Sequence, residues 1–448
     1  MECARVERKS GYSFYAQMLI ATLCLTIGRA ESSTSSVNTY LNAVELLTAF
    51  SGKSAVQYEP FFRFSDETRI VSVEVHAVGT ESTNARYYAG SEVWKQINNI
   101  LRIKTADGFE GMSGVVSENQ GEFSEEQLLE LQSVTADLLA LKSLDPVEVG
   151  MMLELTRPDL SDASRANIDI ALWDLAASRA GRPLYEILGA KRNSIETYAS
   201  LPFYDSLPEY VEAVNEYAKL GYNIFKFHVW GSIEEDSKLV QLIQQTFADS
   251  PYRFMMDLEG AYGFEDALRL GEEMDERLFI WFEGPIDDEL LEQYSELRKR
   301  LSVPIIPAGY NIYSPEFIKQ GIKTDSWDAG RFDTTTIGGI SKALELLMIA
   351  NDAGLPIAIQ SWGHSLAQAT NLHLMLSNER TRYFEASMPK EAYEFGMKNG
   401  NLLDEGQVVA PEGHGLGIEV DWDNLAMADF YIKIEDQRMQ NDVNKKNK

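Results

Sequence analysis

The stretch "RFMMDLEG" (253–260) is an apolar run of strand length that stops on a carboxylate, Asp257. Two later stretches are built alike. "LFIWFEGP" (278–285) stops at Glu283, and "PIIPAGYNIYSPEF" (304–317) stops at a glycine followed by Tyr310 and Asn311. Working outward, "IETYASL" and "IFKFHVW" precede these runs, and "SWDAGRF", "PIAIQSW" and "RYFEAS" follow them. The polar residues at the ends are Tyr198, Lys226, Asp257, Glu283, Tyr310, Asp333, Gln360 and Glu385, spaced 23 to 31 residues apart. Helical patterns such as "SKLVQLIQQTFAD" and "GGISKALELLMIANDAG" lie between them. Strands alternating with helices imply parallel βαβ units. Eight such units in under 200 residues predict a closed β/α barrel rather than an open doubly wound sheet. No Gly-x-Gly-x-x-Gly turn follows the first strand, which disfavours a dinucleotide fold. In a barrel the strand ends converge on one mouth, so Lys226, His228, Asp257, Glu283, Asp333 and Glu385 are expected to share a cavity.

The segment before the barrel reads differently. "RIVSVEVHAVG" and "NNILRIKTADGFEGMSGV" are strand-like, and "SEEQLLELQSVTADLLALKS" and "SRANIDIALWDLAASRAG" are helical. Strands followed by helices predict an α+β domain over 67–190. At 448 residues the chain has room for two domains. The net charge of −29 argues against a nucleic-acid partner, whose phosphates it would repel. An anionic substrate then needs local positive charge, from a metal or lysines.

Arg5, Arg8 and Lys9 precede the apolar run "MLIATLCLTI" (18–27), with small residues at Gly28 and Ala30. Residues 1–30 read either as a signal peptide cleaved near Ala30 or as an upstream extension with Met18 as the start. The first reading implies export to the periplasm, the second a cytoplasmic location. The run is too short for a stable membrane span. Both cysteines, Cys3 and Cys24, fall in this segment, so the remainder has no disulfide or thiolate chemistry. Residues 31–66, with the amphipathic stretch "YLNAVELLTAF", read as a connector.

The stretch "SRANIDIALWDLAASRAGRPLYEILGAKR" (164–192) resembles the segment preceding the barrel in the mandelate racemase/muconate lactonizing branch of the enolase superfamily. The resemblance continues through "FKFH", "MMDLEG", "WFEGP", "DTTTIGGI", "SWG", "YFE" and the terminal "PEGHGLGIEVDWDNL" (411–425). It implies an α+β capping domain plus a modified TIM-type (β/α)7β barrel over 191–410. Residues 411–448 would return to the cap. It also implies removal of a proton α to a carboxylate, with the enediolate held on Mg2+. A small-molecule carboxylate substrate and a homo-oligomer follow from the same resemblance.

On this resemblance Asp257 and Glu283 take the first two metal positions. The third should be acidic and is Tyr310, so Asn311 is expected to supply a neutral oxygen. Glu259 is a second means of restoring the charge. Lys226 is expected against the substrate carboxylate, and His228, on the same face of the strand, as the base. An unperturbed imidazole pKa of ~6.5 suits that role. The alternative for His228 is a structural histidine. Asp333 matches an acid on the sixth strand, and Glu385 an acid that donates a hydrogen bond to the developing oxyanion. Gln360 stands where a racemase-like histidine is expected, with His364 four residues on. Tyr88, from the loop "GTESTNARYYAGSEVW" (79–94), Tyr310, Gln360 and His364 are expected to line the substrate site.

With one clear base, dehydration of a hydroxy acid, most naturally a sugar acid, is favoured over racemisation. Epimerase or cycloisomerase chemistry on the same intermediate is the alternative. A non-catalytic binding protein with a degraded metal site is a third reading, favoured by Tyr310 and Gln360.

Overall fold

A computed structural model of the chain describes residues 42–53, 59–87, 89–119, 122–309, 314–400, 402–404 and 406–435. The leader 1–30 lies outside these residues.

The cap begins with strands β1 (Ile70–Thr80), β2 (Gln96–Thr105) and β3 (Glu110–Val116), an antiparallel meander. Helices α2 (Glu125–Leu139), α3 (Pro146–Thr156) and α4 (Asp162–Arg179) follow. Side-chain caps set their starts: Ser124, Asp145 and Ser161 each accept from the first-turn backbone. Val73, Val75, Leu101 and Ile103 pack with Leu131, Val134, Leu172 and Leu175 in one apolar cluster.

The barrel strands are β4 (Ser194–Ser200), β5 (Ile224–His228), β6 (Arg253–Asp257), β7 (Phe279–Glu283), β8 (Ile305–Ile306), β9 (Gly330–Phe332), β10 (Ile357–Ile359) and β11 (Tyr383–Ser387). A helix of ten or more residues follows each of the first seven, from Leu207–Lys219 to Ser365–Ser377. This is the (β/α)7β order expected. Parallel ladders join β11, β4, β5, β6, β7 and β8 in sequence, and β9 pairs β10. Side chains bridge the two joints between these groups. The Asp328 carboxylate accepts from Ile305 N at 2.8 Å beside β9. The Ser361 hydroxyl donates to Glu385 O at 3.0 Å and accepts from Glu385 N at 2.9 Å.

Within the connector, residues 42–53 include a helix. Helix α1 (Ala43–Ser51) starts on a capping box of Asn42 and Glu45. It buries Leu46 and Leu47 in the main core, with barrel residues such as Leu344 and Leu347. At the other end, strand β14 (Phe430–Glu435) pairs antiparallel with β1 as the fourth cap strand; between them and β11 lies the hairpin β12 (Leu402–Asp404) and β13 (Gln407–Val409). Among the described residues no helix is long and apolar enough to cross a membrane.

Cap and barrel meet at Gly339, which has φ +104. A Cβ there would lie 2.5 Å from Asp169 Oδ2. That close approach lets Asp169 accept from Ser341 N at 3.1 Å, while Trp173 Nε1 donates to Ser341 Oγ at 3.0 Å. Burial pushes the Asp169 carboxyl up to about 7, with Ser341 pulling the other way. The change Gly339→Ala adds backbone strain to this clash and is expected to destabilise the fold by about 2–3 kcal/mol. Thermal unfolding measures it; an unchanged midpoint would mean that the interface relaxes freely.

Candidate active site

Strand alternation aims Lys226 and His228 of β5 inward, and parallel register sets His228 beside Asp257 and Asp257 beside Glu283. All four, with Glu385 of β11, are buried. Lys226 Nζ is their meeting point. It lies 2.8 Å from Asp257 Oδ2, 3.2 Å from each oxygen of Glu283 and 2.8 Å from Glu385 Oε1. Burial alone would strip the lysine of its proton, but the three carboxylates outweigh it and hold the ammonium well above the ordinary lysine range. Lys226 was expected against the substrate carboxylate; here the protein's own carboxylates surround its ammonium.

A second cation, missing from the sequence reading, lies in the same cluster. Arg331 of β9 is fully buried. Its Nε lies 2.8 Å from Glu283 Oε1, and its Nη2 donates to Glu385 Oε2 at 3.0 Å. Its guanidinium lies 6.0 Å over the ring of Trp281. The available signal was its position two residues before Asp333, which alternation puts on the inward face.

These cations alter the role of Glu385. Burial raises a carboxyl, but Lys226 and Arg331 outweigh it and keep Glu385 well below the usual carboxylate range. Both of its oxygens face these cations, Oε1 Lys226 Nζ at 2.8 Å and Oε2 Arg331 Nη2 at 3.0 Å, where the expectation was donation to an oxyanion. Glu283 goes the other way, pushed up by burial and by Asp257 and Glu385 against the pull of Arg331 and Lys226. Asp257 is lowered: burial opposes its charge, and Lys226 and His228 override that.

His228 Nδ1 lies 2.7 Å from Leu201 O. A carbonyl only accepts, so Nδ1 carries the proton and Nε2 the lone pair. Nε2 faces the mouth, 3.6 Å from Asp257 Oδ2. Burial lowers the pKa of His228, offset in part by Asp257. Tyr87, from the cap loop, covers the imidazole edge-on with ring centroids 4.9 Å apart. Trp94, Trp362 and Tyr393 complete this aromatic wall.

Asp333 sits apart from the ion cluster. Its Oδ1 accepts from Thr335 N at 2.8 Å, Thr335 Oγ1 at 2.9 Å and Asn371 Nδ2 at 2.9 Å. Burial raises its carboxyl against these donors. Gln360 is half-buried one residue past β10, adjacent in register to Asp333. His364 is not a substrate residue. It is the N-cap of Ser365–Ser377, fully buried, with Nε2 donating to Phe395 O at 3.0 Å and the ring tilted against Phe395 with centroids 4.7 Å apart. Tyr88, Tyr310 and Asn311 lie outside the described residues.

Among the described residues one group of side chains fits a divalent cation, and it includes Asp257 of the expected set. Ligand atoms of His228, Asp257 and Glu259 lie within 4.8 Å of one another. Glu259 is turned into this position by a left-handed backbone, φ +52. Two carboxylates are the oxygen donors that Mg2+ prefers.

Comparison with known proteins matches both halves of the chain. Residues 70–189 match the mandelate racemase/muconate lactonizing enzyme N-terminal domain, and residues 209–424 the enolase C-terminal domain-like family. A solved structure from Pseudovibrio sp., described as a mandelate racemase/muconate lactonizing enzyme, is 30% identical, with a TM-score of 0.78 over 82% of this chain and 99% of that one. Arabinonate dehydratase of Saccharolobus solfataricus is 26% identical over 60% of this chain and 72% of its own length. L-talarate/galactarate dehydratase of Salmonella typhimurium is 26% identical over 71% and 79%. The structure of that dehydratase with Mg and L-lyxarohydroxamate has a TM-score of 0.73 at 22% identity, covering 90% of this chain and 99% of that one. Further relatives include a cycloisomerase, a racemase and an epimerase. With both of its domains matched, the chain belongs to the mandelate racemase/muconate lactonizing enzyme family of the enolase superfamily.

Proposed function

We propose that the chain removes the proton α to a substrate carboxylate and expels a hydroxyl from the neighbouring carbon, as a dehydratase of hydroxy acids of the sugar-acid class. The observation that carries this is the imidazole of His228, held by Leu201 O in the tautomer whose Nε2 can take a proton. Asp257 and Glu259 would hold the divalent ion, which supplies positive charge against the enediolate when bound.

His228 Nε2 accepts the proton as the C–H bond breaks. The same imidazolium then returns it to the departing hydroxyl as the C–O bond breaks, so that water leaves from the same face. The enol product takes a proton from solvent at the carbon that lost the hydroxyl and releases its own O–H proton to solvent, becoming the 2-keto-3-deoxy acid. Lys226 adds fixed positive charge beside the site, and Tyr87 shields the imidazole from bulk water. A racemase needs a second base on the opposite face. There the chain has Gln360, which does not exchange protons in this way, and Asp333, whose Oδ1 already accepts from Thr335 and Asn371. The names of the dehydratase relatives support the same reading.

A panel of acid sugars incubated with the protein and Mg2+ in D2O tests it. The expected result is a 2-keto-3-deoxy product from at least one substrate. Solvent deuterium at the α carbon with stereochemical inversion and no keto product would establish epimerisation instead.

A further inference from the structure

We propose that the cleft where helix α1 meets the link between cap and barrel is an anion site that takes a phosphate group, free or as a phosphate monoester. The inference is independent of the proposed reaction. Asn193 of this cleft directly precedes β4, so the cleft lies at the end of the barrel away from the mouth.

Three observations carry it. First, the charge there is reversed. The whole chain has a net charge of −29, yet this cleft of about 300 Å3 is lined by Lys53, Arg182, Lys191 and Arg192 against one acid, Glu186. Glu186 is already engaged, with Oε2 3.0 Å from Arg182 Nε. Glu379 lies 3.1 Å from Lys191, but both side chains are largely exposed and such a pair is weak. Lys53 and Arg192 have no carboxylate partner among the described residues.

Second, those two cations are held in place. Arg192 Nη2 donates to Met375 O at 2.6 Å, Asn378 O at 2.9 Å and Thr381 O at 2.6 Å. The three carbonyls fix the guanidinium without cancelling its charge. Burial pushes its pKa down and Glu379 opposes this, so a further anion would favour the charged form. Gly189, with φ +90, seats Lys53. A Cβ there would stand 2.7 Å from Ser51 Cβ and 3.9 Å from Lys53 Cε. Without it, the end of α1 lies against the link and brings the lysine stem to the cleft.

Third, the cations come from separate segments. Residue 53 follows α1, residue 182 follows α4, and residues 191–192 precede β4. Donors on several sides suit a tetrahedral dianion, and guanidinium and ammonium groups are its usual partners. Lys53 also lies ahead of the first family match, which begins at residue 70. An anion seated here would tie the N-terminal helix to the link between the two domains.

The test is calorimetric titration of the full chain, without Mg2+ and at constant ionic strength in chloride. The probes are inorganic phosphate, glycerol 3-phosphate and acetate. Phosphate is expected to bind with a Kd of about 1 mM or tighter, and acetate at least about tenfold more weakly. At about ten times its Kd, phosphate should raise the unfolding midpoint by about 3 °C over chloride alone. The double variant Lys53→Gln, Arg182→Gln is expected to lose about tenfold or more in phosphate affinity, and the midpoint shift with it. Both side chains reach the surface, so the variant is expected to fold. Lys238→Gln, at a lysine outside the cleft that pairs with Glu235, should bind phosphate as wild type does.

Tighter binding of glycerol 3-phosphate assigns the site to a monoester, and tighter binding of inorganic phosphate to the free ion; either supports the proposal. No phosphate binding by wild type at about 10 mM overturns it. So does acetate bound as tightly as phosphate, or full affinity in the double variant, which would place the anion elsewhere. A loss in Lys238→Gln as large as in the double variant would report overall surface charge and overturn it too.

Discussion

Replacing His228 with alanine is expected to lower α-proton exchange by about 100- to 10,000-fold, the range for a positioned general base. The imidazole donates to Leu201 O and accepts the proton at Nε2, and no other neutral imidazole is placed at the mouth among the described residues. His364 and His373 are buried elsewhere, with Nε2 directed at the carbonyls of Phe395 and Leu416. Mn2+ affinity should hold in the alanine variant if His228 is the base. A collapse of ion binding with the loss of exchange would reassign the imidazole as a ligand, which its 4.8 Å grouping with Asp257 and Glu259 makes a real alternative outcome. Full exchange activity would remove His228 from the reaction altogether.

Replacing Lys226 with methionine is expected to damage both fold and activity. The side chain is 1% exposed and meets three carboxylates. Methionine fills the volume but leaves those carboxylates facing Arg331 alone. Removing one partner of a buried ion pair costs about 3–5 kcal/mol because the remaining charge is stranded. For a domain of this size each kcal/mol moves the midpoint by roughly 2–4 °C, so a fall of roughly 10 °C is expected. Scanning calorimetry measures it, and turnover should be absent at any temperature. Added Mg2+ should recover part of the midpoint by neutralising Asp257. A methionine variant as stable as wild type would show that the ammonium is not the organising charge of the cluster.

What could be read from sequence, and what could not, follows from the range of the interactions involved. The eight barrel strands were legible because each is a local apolar run ending in a polar residue at a regular step. That pattern was enough to bring Lys226, His228, Asp257, Glu283 and Glu385 into one bowl. Arg331 carries no such mark, because it lies inside the run "AGRF", two residues before the strand-end Asp333. Its meaning depends on Glu283 and Glu385, 48 and 54 residues away, and no local pattern marks such a pair. His364 was misjudged for a similar reason: Phe395, which claims its ring and Nε2, is 31 residues downstream. The ionisation of Glu385 depends on two cations whose convergence only the closed barrel provides. The stretch at 40–50 was visible only as amphipathic; that residues 43–51 form a helix, and that it docks against the barrel helix at 340–353, was not.

The fourth cap strand, Phe430–Glu435, has a consequence for synthesis. The cap starts first and finishes last, with the barrel made in between. Domains generally fold as units, N-terminal first, while the ribosome works; this cap has to wait. Until its last strand emerges, β1 carries a bare row of amide and carbonyl groups, the kind of edge on which nascent chains stick to one another. A message truncated before codon 430 would leave that edge bare for good, even though every residue of the reaction centre had already been translated.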